Sequence, residues 1–184
     1  SRTSVFGVYD GGTYGALERA SDHLAEPQPH RPRQRYWKIV AKRAVLASGA
    51  IERPIVFGGN DRPGVMLAGA VRSYINRFGV VPGRRAIVFT NNDYGAATVS
   101  ALKRAGAEIV ALVDSRTELS DEVKQIAAEA ATRVISGGAV IGTRGRTRVK
   151  SAIVRTQSGE DVRLECDLVA VSGGWNPNIQ LSTH

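Results

Sequence analysis

The stretch 84–114, RRAIVFTNNDYGAATVSALKRAGAEIVALVD, decides how the rest of the chain is read. Ala86, Ile87, Val88 and Phe89 form a short apolar run, and Thr90-Asn91-Asn92-Asp93 is a tetrad of turn formers. Ala97, Ala101, Leu102 and Ala105 then recur at helical spacing until Gly106 stops them, and 109–113 is a second apolar run closed by the acid Asp114. Strand, turn, helix and strand in that order predict the opening unit of a dinucleotide-binding fold. In such a unit the turn aims a helix N-terminus at a pyrophosphate, and the acid at the end of the second strand takes a ribose hydroxyl.

The glycine fingerprint of that turn is damaged. If Gly95 is the third glycine of G-x-G-x-x-G, the first two positions carry Thr90 and Asn92. The third glycine serves close packing of helix on strand, so the fold survives, whereas a side chain at the second obstructs the pyrophosphate. Asn tolerates a left-handed backbone best after Gly, so the turn can still form. Two readings stay open: a Rossmann-like unit kept for structure with weak or no nucleotide binding, or a working site touched by Asn92, Gly95 and Asp114.

Outward from this unit, the composition bounds the class. A chain of 184 residues, 42% hydrophobic, buries a core as one domain or two small ones. No apolar run is long enough to cross a bilayer, and 1–10 lacks the order of a signal peptide. Cys166 is the single cysteine, which excludes an internal disulfide and fits a reducing cytoplasm; it reads as a small packing residue. The net charge of +8 comes partly from HRPRQR at 30–35 and RGRTRVK at 144–150, which lack the interleaved aromatics of a nucleic-acid platform. They read as solvated loops, or as faces toward an acidic partner or cofactor phosphates. His23, His30 and His184 are scattered, so no metal site, and no acid–base pair or activated nucleophile, can be assembled.

Before the central unit, 3–9 and 14–20 flank the hairpin signal Asp10-Gly11-Gly12, and 36–41 adds a third strand of a β-meander. Residues 43–47 are expected as a short buried strand ending in Ser48-Gly49-Ala50, small residues that let a backbone approach a ligand. The turn-rich 60–64 (NDRPG) is a candidate boundary. Leu67, Ala70, Val71, Tyr74, Ile75 and Phe78 then make one helical stripe that stops at Gly79. After Asp114, Ser120 caps a helix with the stripe Val123, Ile126, Ala127 and Ala130, and 133–135 is a third parallel strand. Segments 139–143, 147–156 and 162–166 form a second meander, and 167–172 is an apolar strand leading to Gly173-Gly174-Trp175-Asn176-Pro177-Asn178.

KRAVLASGAIERP and CDLVAVSGGWNPN thus repeat one ending, a strand closed by a small-residue turn. The fold class this predicts is α/β. A Rossmann-like three-layer inserted domain with a β-meander, 65–166, is nested in an incomplete FAD/NAD(P)-binding domain supplied by 1–64 and 167–184, with 167–172 returning to the outer sheet.

The nested layout resembles the two-dinucleotide flavoprotein reductase fold. More narrowly, TSVFGVYDGG, RAVLASGAIERPIVFGGNDRPGVM, NRFGVVPGRRAIVFTNND and LVAVSGGWNPN look like the alpha subunit of bacterial heterotetrameric sarcosine oxidase. That resemblance implies oxidative demethylation of sarcosine to glycine, formaldehyde and hydrogen peroxide, with folate accepting the one-carbon unit. It implies NAD in the alpha subunit, FAD and FMN in the whole complex, and beta, gamma and delta subunits as partners, with no membrane or nucleic acid. It further implies that this chain is a middle portion which does not catalyse alone.

In that family NAD occupies the outer fold. Carried over by position, the resemblance nominates Val5, Ser48, Gly49, Ala50, Gly174, Asn176, Leu181 and Thr183 as NAD contacts, ahead of Asn92, Gly95 and Asp114. The alternatives are a pyridine nucleotide-dependent flavoprotein reductase, an opine or proline dehydrogenase subunit, or a non-catalytic module whose basic loops dock a partner. A reductase needs a working turn, which Asn92 opposes, and the chain has no C-x-x-C redox pair.

Overall fold

A computed structural model describes residues 2–26 and 29–180. The chain divides into two compact units, 1–50 with 177–184, and 51–176.

The first unit is built on β1 (Thr3–Tyr9), β2 (Thr13–Glu18) and β3 (Arg35–Val40), an antiparallel meander in that order. The turn between β1 and β2 is tight because Gly11 and Gly12 both adopt positive φ, 68° and 69°. Register pairs Thr3 with Glu18 and Tyr9 with Thr13, and β2 aligns Thr13 with Val40. Trp37 Nε1 donates to Glu18 Oε2 at 2.9 Å, and Phe6 lies 5.8 Å from Tyr36. Every residue of β3 is exposed. Residues 43–47, expected as a buried strand, are irregular and exposed, with Val45 93% exposed. An apolar run becomes a strand only beside a ladder, and no described strand pairs with this one.

The second unit has three layers. Its centre is a parallel five-stranded sheet of β5 (Val65–Leu67), β6 (Arg85–Thr90), β7 (Glu108–Asp114), β8 (Val134–Ser136) and β12 (Leu168–Ser172), in the order β5-β12-β6-β7-β8. Helices α1 (Ala68–Phe78), α2 (Tyr94–Arg104) and α3 (Asp121–Glu129) cover one face. The antiparallel ribbon of β9 (Ala139–Arg144), β10 (Ser151–Arg155) and β11 (Asp161–Glu165) covers the other. The short strands β4 (Ala50–Glu52) and β13 (Trp175–Pro177) pair with each other.

Alternation along the strands sorts the two cores. Ala86, Val88, Leu168 and Ala170 pack with Val71, Val99 and Leu102 of the helices. Their neighbours Ile87, Phe89, Val169 and Val171 pack with Val140, Ala152 and Val154 of the ribbon. A register shift after Ala86, which pairs with Ile109 while Ile87 pairs with Ala111, inserts Val110 into β7. Phase is thereby changed: Val110 and Ala111 both join the ribbon side. Each Val, Leu, Ile or Phe side chain removed from water here contributes about 1.5–3 kcal/mol before entropy is subtracted.

Helix ends follow the expected chemistry. Gly79 closes α1 with φ of 66°, its N–H donating to Ile75 O at 3.1 Å, and Ser120 Oγ accepts from Val123 N at 3.3 Å at the start of α3. The α1 stripe is narrower than its sequence suggests: Ala68 and Val71 are buried, whereas Tyr74 and Phe78 are exposed. The larger difference concerns 167–172, expected in the outer sheet. It forms β12, between β5 and β6, with Leu168, Val169, Ala170, Val171 and Ser172 all buried. Two-sided burial of a parallel strand reads as a continuous apolar run, and such a run does not say which sheet it joins.

Cys166 is buried in the ribbon-side core, and desolvation, with Asp167 nearby, pushes its thiol up to about 12. The folded chain therefore keeps this proton at pH values where an unfolded thiol has lost it. That contribution is complete below the unfolded pKa and is lost as pH rises toward about 12. Urea midpoints at pH 7.5 and 10.5 should consequently lie closer together in Cys166→Ala than in the parent chain; an unchanged gap would contradict the assignment.

Candidate functional site

Turns at the carboxyl ends of the second unit's parallel strands stand where open α/β sheets bind ligands. The first is the damaged fingerprint between β6 and α2. Thr90 Oγ1 donates to Asn92 O at 2.8 Å and accepts from Asn92 N at 3.1 Å. The Asn92 side chain lies inside the turn: Nδ2 donates to Ser172 O at 3.0 Å and to Asn91 Oδ1 at 2.9 Å, while Oδ1 accepts from Tyr94 N at 3.0 Å. An amide side chain thus takes a helix N–H that a phosphate would otherwise use. Gly95 has the packing role, since a Cβ there would sit 2.6 Å from Thr90 Cβ.

Asp114 ends β7 as expected, but fully buried and occupied. Its Oδ1 accepts from Arg116 N at 2.9 Å and Nε at 3.0 Å, and its Oδ2 from Nη2 at 2.8 Å. Arg116 also reaches Asp93 Oδ1 at 2.8 Å, and these bonds, that to Asp114 foremost, hold its guanidinium still more firmly protonated than usual. The carboxylate a ribose hydroxyl would need is saturated by its own loop. Sequence reading missed Arg116; the Asp-x-Arg spacing after the strand was its signal.

The outer-flank candidates fall in two groups. In the first unit, Val5 of β1 and Ser48 line one hollow of about 440 Å³ with Tyr14, Ile39 and Leu46. Ser48 Oγ donates to Asn178 O, and Asn178 N donates to Gly49 O at 2.9 Å. Gly49 has φ of 75° with open space where a Cβ would stand, and Ala50 begins β4, exposed. In the second unit, Gly174 has φ of 94°; its carbonyl accepts from Arg53 N at 2.8 Å, and Asn176 is exposed in β13. Arg53, unlike Arg116, carried no signal in the sequence. Leu181 and Thr183 lie outside the described residues. No three His, Cys, Asp or Glu side chains are grouped to hold a metal among the described residues, and no helix there is long and apolar enough to cross a membrane.

No family model matches the chain. It is 46% identical over 183 residues, 100% of its length, to the sarcosine oxidase subunit alpha of Rhizobium meliloti (strain 1021), and 43% identical over 188 residues to that of Corynebacterium sp. (strain P-1). The chain spans 18% and 19% of those relatives. Among solved structures, T. acidophilum thioredoxin reductase matches with a TM-score of 0.69 at 12% identity, over 97% of this chain and 54% of that one. A FAD-dependent pyridine nucleotide-disulphide oxidoreductase from Desulfovibrio vulgaris matches at 0.61 with 17% identity, over 98% and 45%. These two establish the α/β, Rossmann-like fold.

Removing Arg116 strands a buried carboxylate. Arg116→Ala should lower unfolding free energy by about 2–3 kcal/mol, short of the full cost of an unpaired buried charge because the guanidinium is partly exposed. Asp114→Asn, which needs no counter-charge, should cost clearly less. Urea unfolding of both measures the difference, and equal losses would refute the ion-pair account.

Proposed function

We propose that this chain, related along its whole length to sarcosine oxidase alpha subunits, is the dinucleotide-fold portion of such a subunit in an amine-oxidising flavoprotein. In this reading the 51–176 unit, β12 included, is an inserted Rossmann-like domain without a nucleotide of its own. NAD is held by flank residues of the first unit, Val5, Ser48, Gly49 and Ala50. FAD and FMN belong to the whole complex, beta, gamma and delta subunits are its partners, and the assembly works in the cytoplasm. The reaction is the oxidation of sarcosine to glycine, formaldehyde and hydrogen peroxide, to which this chain contributes cofactor binding and scaffold but no catalytic group.

One observation carries the reading. The inserted turn already satisfies its own groups, with Asn92 on Tyr94 N and Arg116 across Asp114, whereas Gly49 faces open space and Ser48 borders a hollow. On the flank side Gly49 leaves room for a pyrophosphate to approach the backbone, room that side chains fill in the inserted turn. Within the flank residues, backbone and small side chains suit close approach to a cofactor and offer no proton-transfer group.

The two turns can be tested alike. In a complete alpha subunit carrying this segment, purified with its partners, Ser48→Asp sets a negative charge against a pyrophosphate on the flank, and Asn92→Asp does so in the inserted turn while keeping an acceptor for Tyr94 N. NAD released on denaturation should fall well below one per subunit in the first variant and stay near parent level in the second. Loss in Asn92→Asp with retention in Ser48→Asp would reverse the assignment.

A further inference from the structure

Ligands of open α/β sheets bind at the carboxyl ends of the strands; the amino ends of the second unit's sheet carry a different chemistry. Residues 58–64 precede β5, 79–84 lead into β6, and 144–150 join β9 to β10. β9 starts beside the carboxyl end of β7, where Gly138 N donates to Asp114 O at 3.1 Å, so its far end, Arg144, lies at the amino end of the sheet. The three loops meet on 166–168. Lys150 O accepts from Cys166 N at 3.2 Å, and Val149 N donates to Pro63 O at 2.9 Å. A Cβ on Gly64 would lie 2.7 Å from Asp167 O, and one on Gly83 2.6 Å from Leu168 Cβ. Asp167 Oδ2 accepts from Arg84 N at 3.2 Å.

Six cations stand on these loops, Arg62, Arg84, Arg144, Arg146, Arg148 and Lys150, against one carboxylate, Asp61. All but Arg62 are exposed, and none is ion-paired with a described residue. Elsewhere on the ribbon the arginines are paired, Arg155 Nε with Asp161 Oδ1 at 2.7 Å and Arg163 Nε with Glu165 Oε1 at 3.1 Å. Apolar side chains at the same end of the sheet are bare as well: Phe78 is 63% exposed, Val80 49% and Val81 39%. Arg77 lies over the Phe78 ring, 5.6 Å from its centroid. Exposed apolar residues rimmed by arginines have the composition of a protein interface. The frame is also set in advance: Gly145 has φ of 146°, and a Cβ there would fall 1.9 Å from Arg148 O, so the loop has little left to order on contact.

We propose that this end of the sheet docks an acidic face of another subunit of the assembly, with Phe78, Val80 and Val81 at the centre of the contact and the cations meeting carboxylates around them. The inference rests on the reading of the chain as part of an alpha subunit. A second copy of the chain would set like charges against like, and no aromatic is interleaved with these cations, as a nucleic-acid platform requires.

The test uses a complete alpha subunit carrying this segment, purified with its partner chains. Carbodiimide joins an amine to a carboxylate where the two touch, and peptide mapping locates the joint. Lys150, and the amines introduced by Arg146→Lys and Arg148→Lys, should be joined to Asp or Glu of a different subunit. The double variant Arg146→Glu with Arg148→Glu breaks no bond within the described chain. Its KCl concentration for separating the subunits, read by sedimentation, should fall on the order of twofold, with NAD content at parent level. Phe78→Ala should lower that concentration too, through the apolar centre. Joints at these amines only within one alpha chain or between two alpha chains, or separation at the parent's KCl concentration in both variants, would overturn the proposal and leave the placement of NAD standing. A parent subunit that purifies without any other chain would overturn it together with the oxidase reading.

Discussion

The second unit depends on one placement, that of β12 between β5 and β6. A parallel strand so placed must be apolar on both faces, and Leu168–Ser172 is buried throughout. The helices need Leu168 and Ala170 beneath them, and the ribbon needs Val169 and Val171. Without this strand Val65–Leu67 has no partner in the sheet and the two cores lose their shared middle. The same placement governs the chemistry, because it sets Ser172 O under the turn that follows β6, where Asn91 N and Asn92 Nδ2 both donate to it.

A dinucleotide turn works by leaving N–H groups and a carboxylate unspent until a ligand arrives. Here they are spent in advance. Asn92 stands where a glycine would leave a gap, and its amide ties the head of α2 to the end of β12. Arg116 completes the closure by clamping Asp114 and Asp93 together. The result is a rigid junction at the place where related folds keep a mouth. Polar atoms left without partners among the described residues include Glu52 Oε1 and Trp175 Nε1, near the end of β12. Closure of one turn and incompleteness of its neighbour arise from the same strand ends.

Much of this was legible in sequence because periodicity survives burial. The hairpin signal between β1 and β2, the stops at Gly79 and Gly106, the Ser120 cap and the second meander were all read from residue types and their spacing. Three things were not. Residues 43–47 are as apolar as a buried strand, yet ladder pairing is a property of neighbours, and the run lies exposed. The apolar 167–172 was recognised as a strand, but its sheet could not be, since parallel pairing partners sit far apart in sequence. Among site residues, Asn92 was read as an obstruction from the fingerprint alone and the Asp-x-Arg spacing that pairs Asp114 with Arg116 went unread, while the orphaned atoms of Glu52, Arg72 and Trp175 exist only in three dimensions.

The central claim is that the turn after β6 is closed by its own side chains. Amide chemical shifts of 91–96 and 114–116, followed in ¹⁵N-labelled protein while NADH is added to about 10 mM, a range that reaches weak millimolar binding, test it most directly. The account predicts that these resonances stay where they are. A saturable shift centred on Asn92, Asp93 and Tyr94 would mean that the turn opens to a nucleotide, and would contradict it.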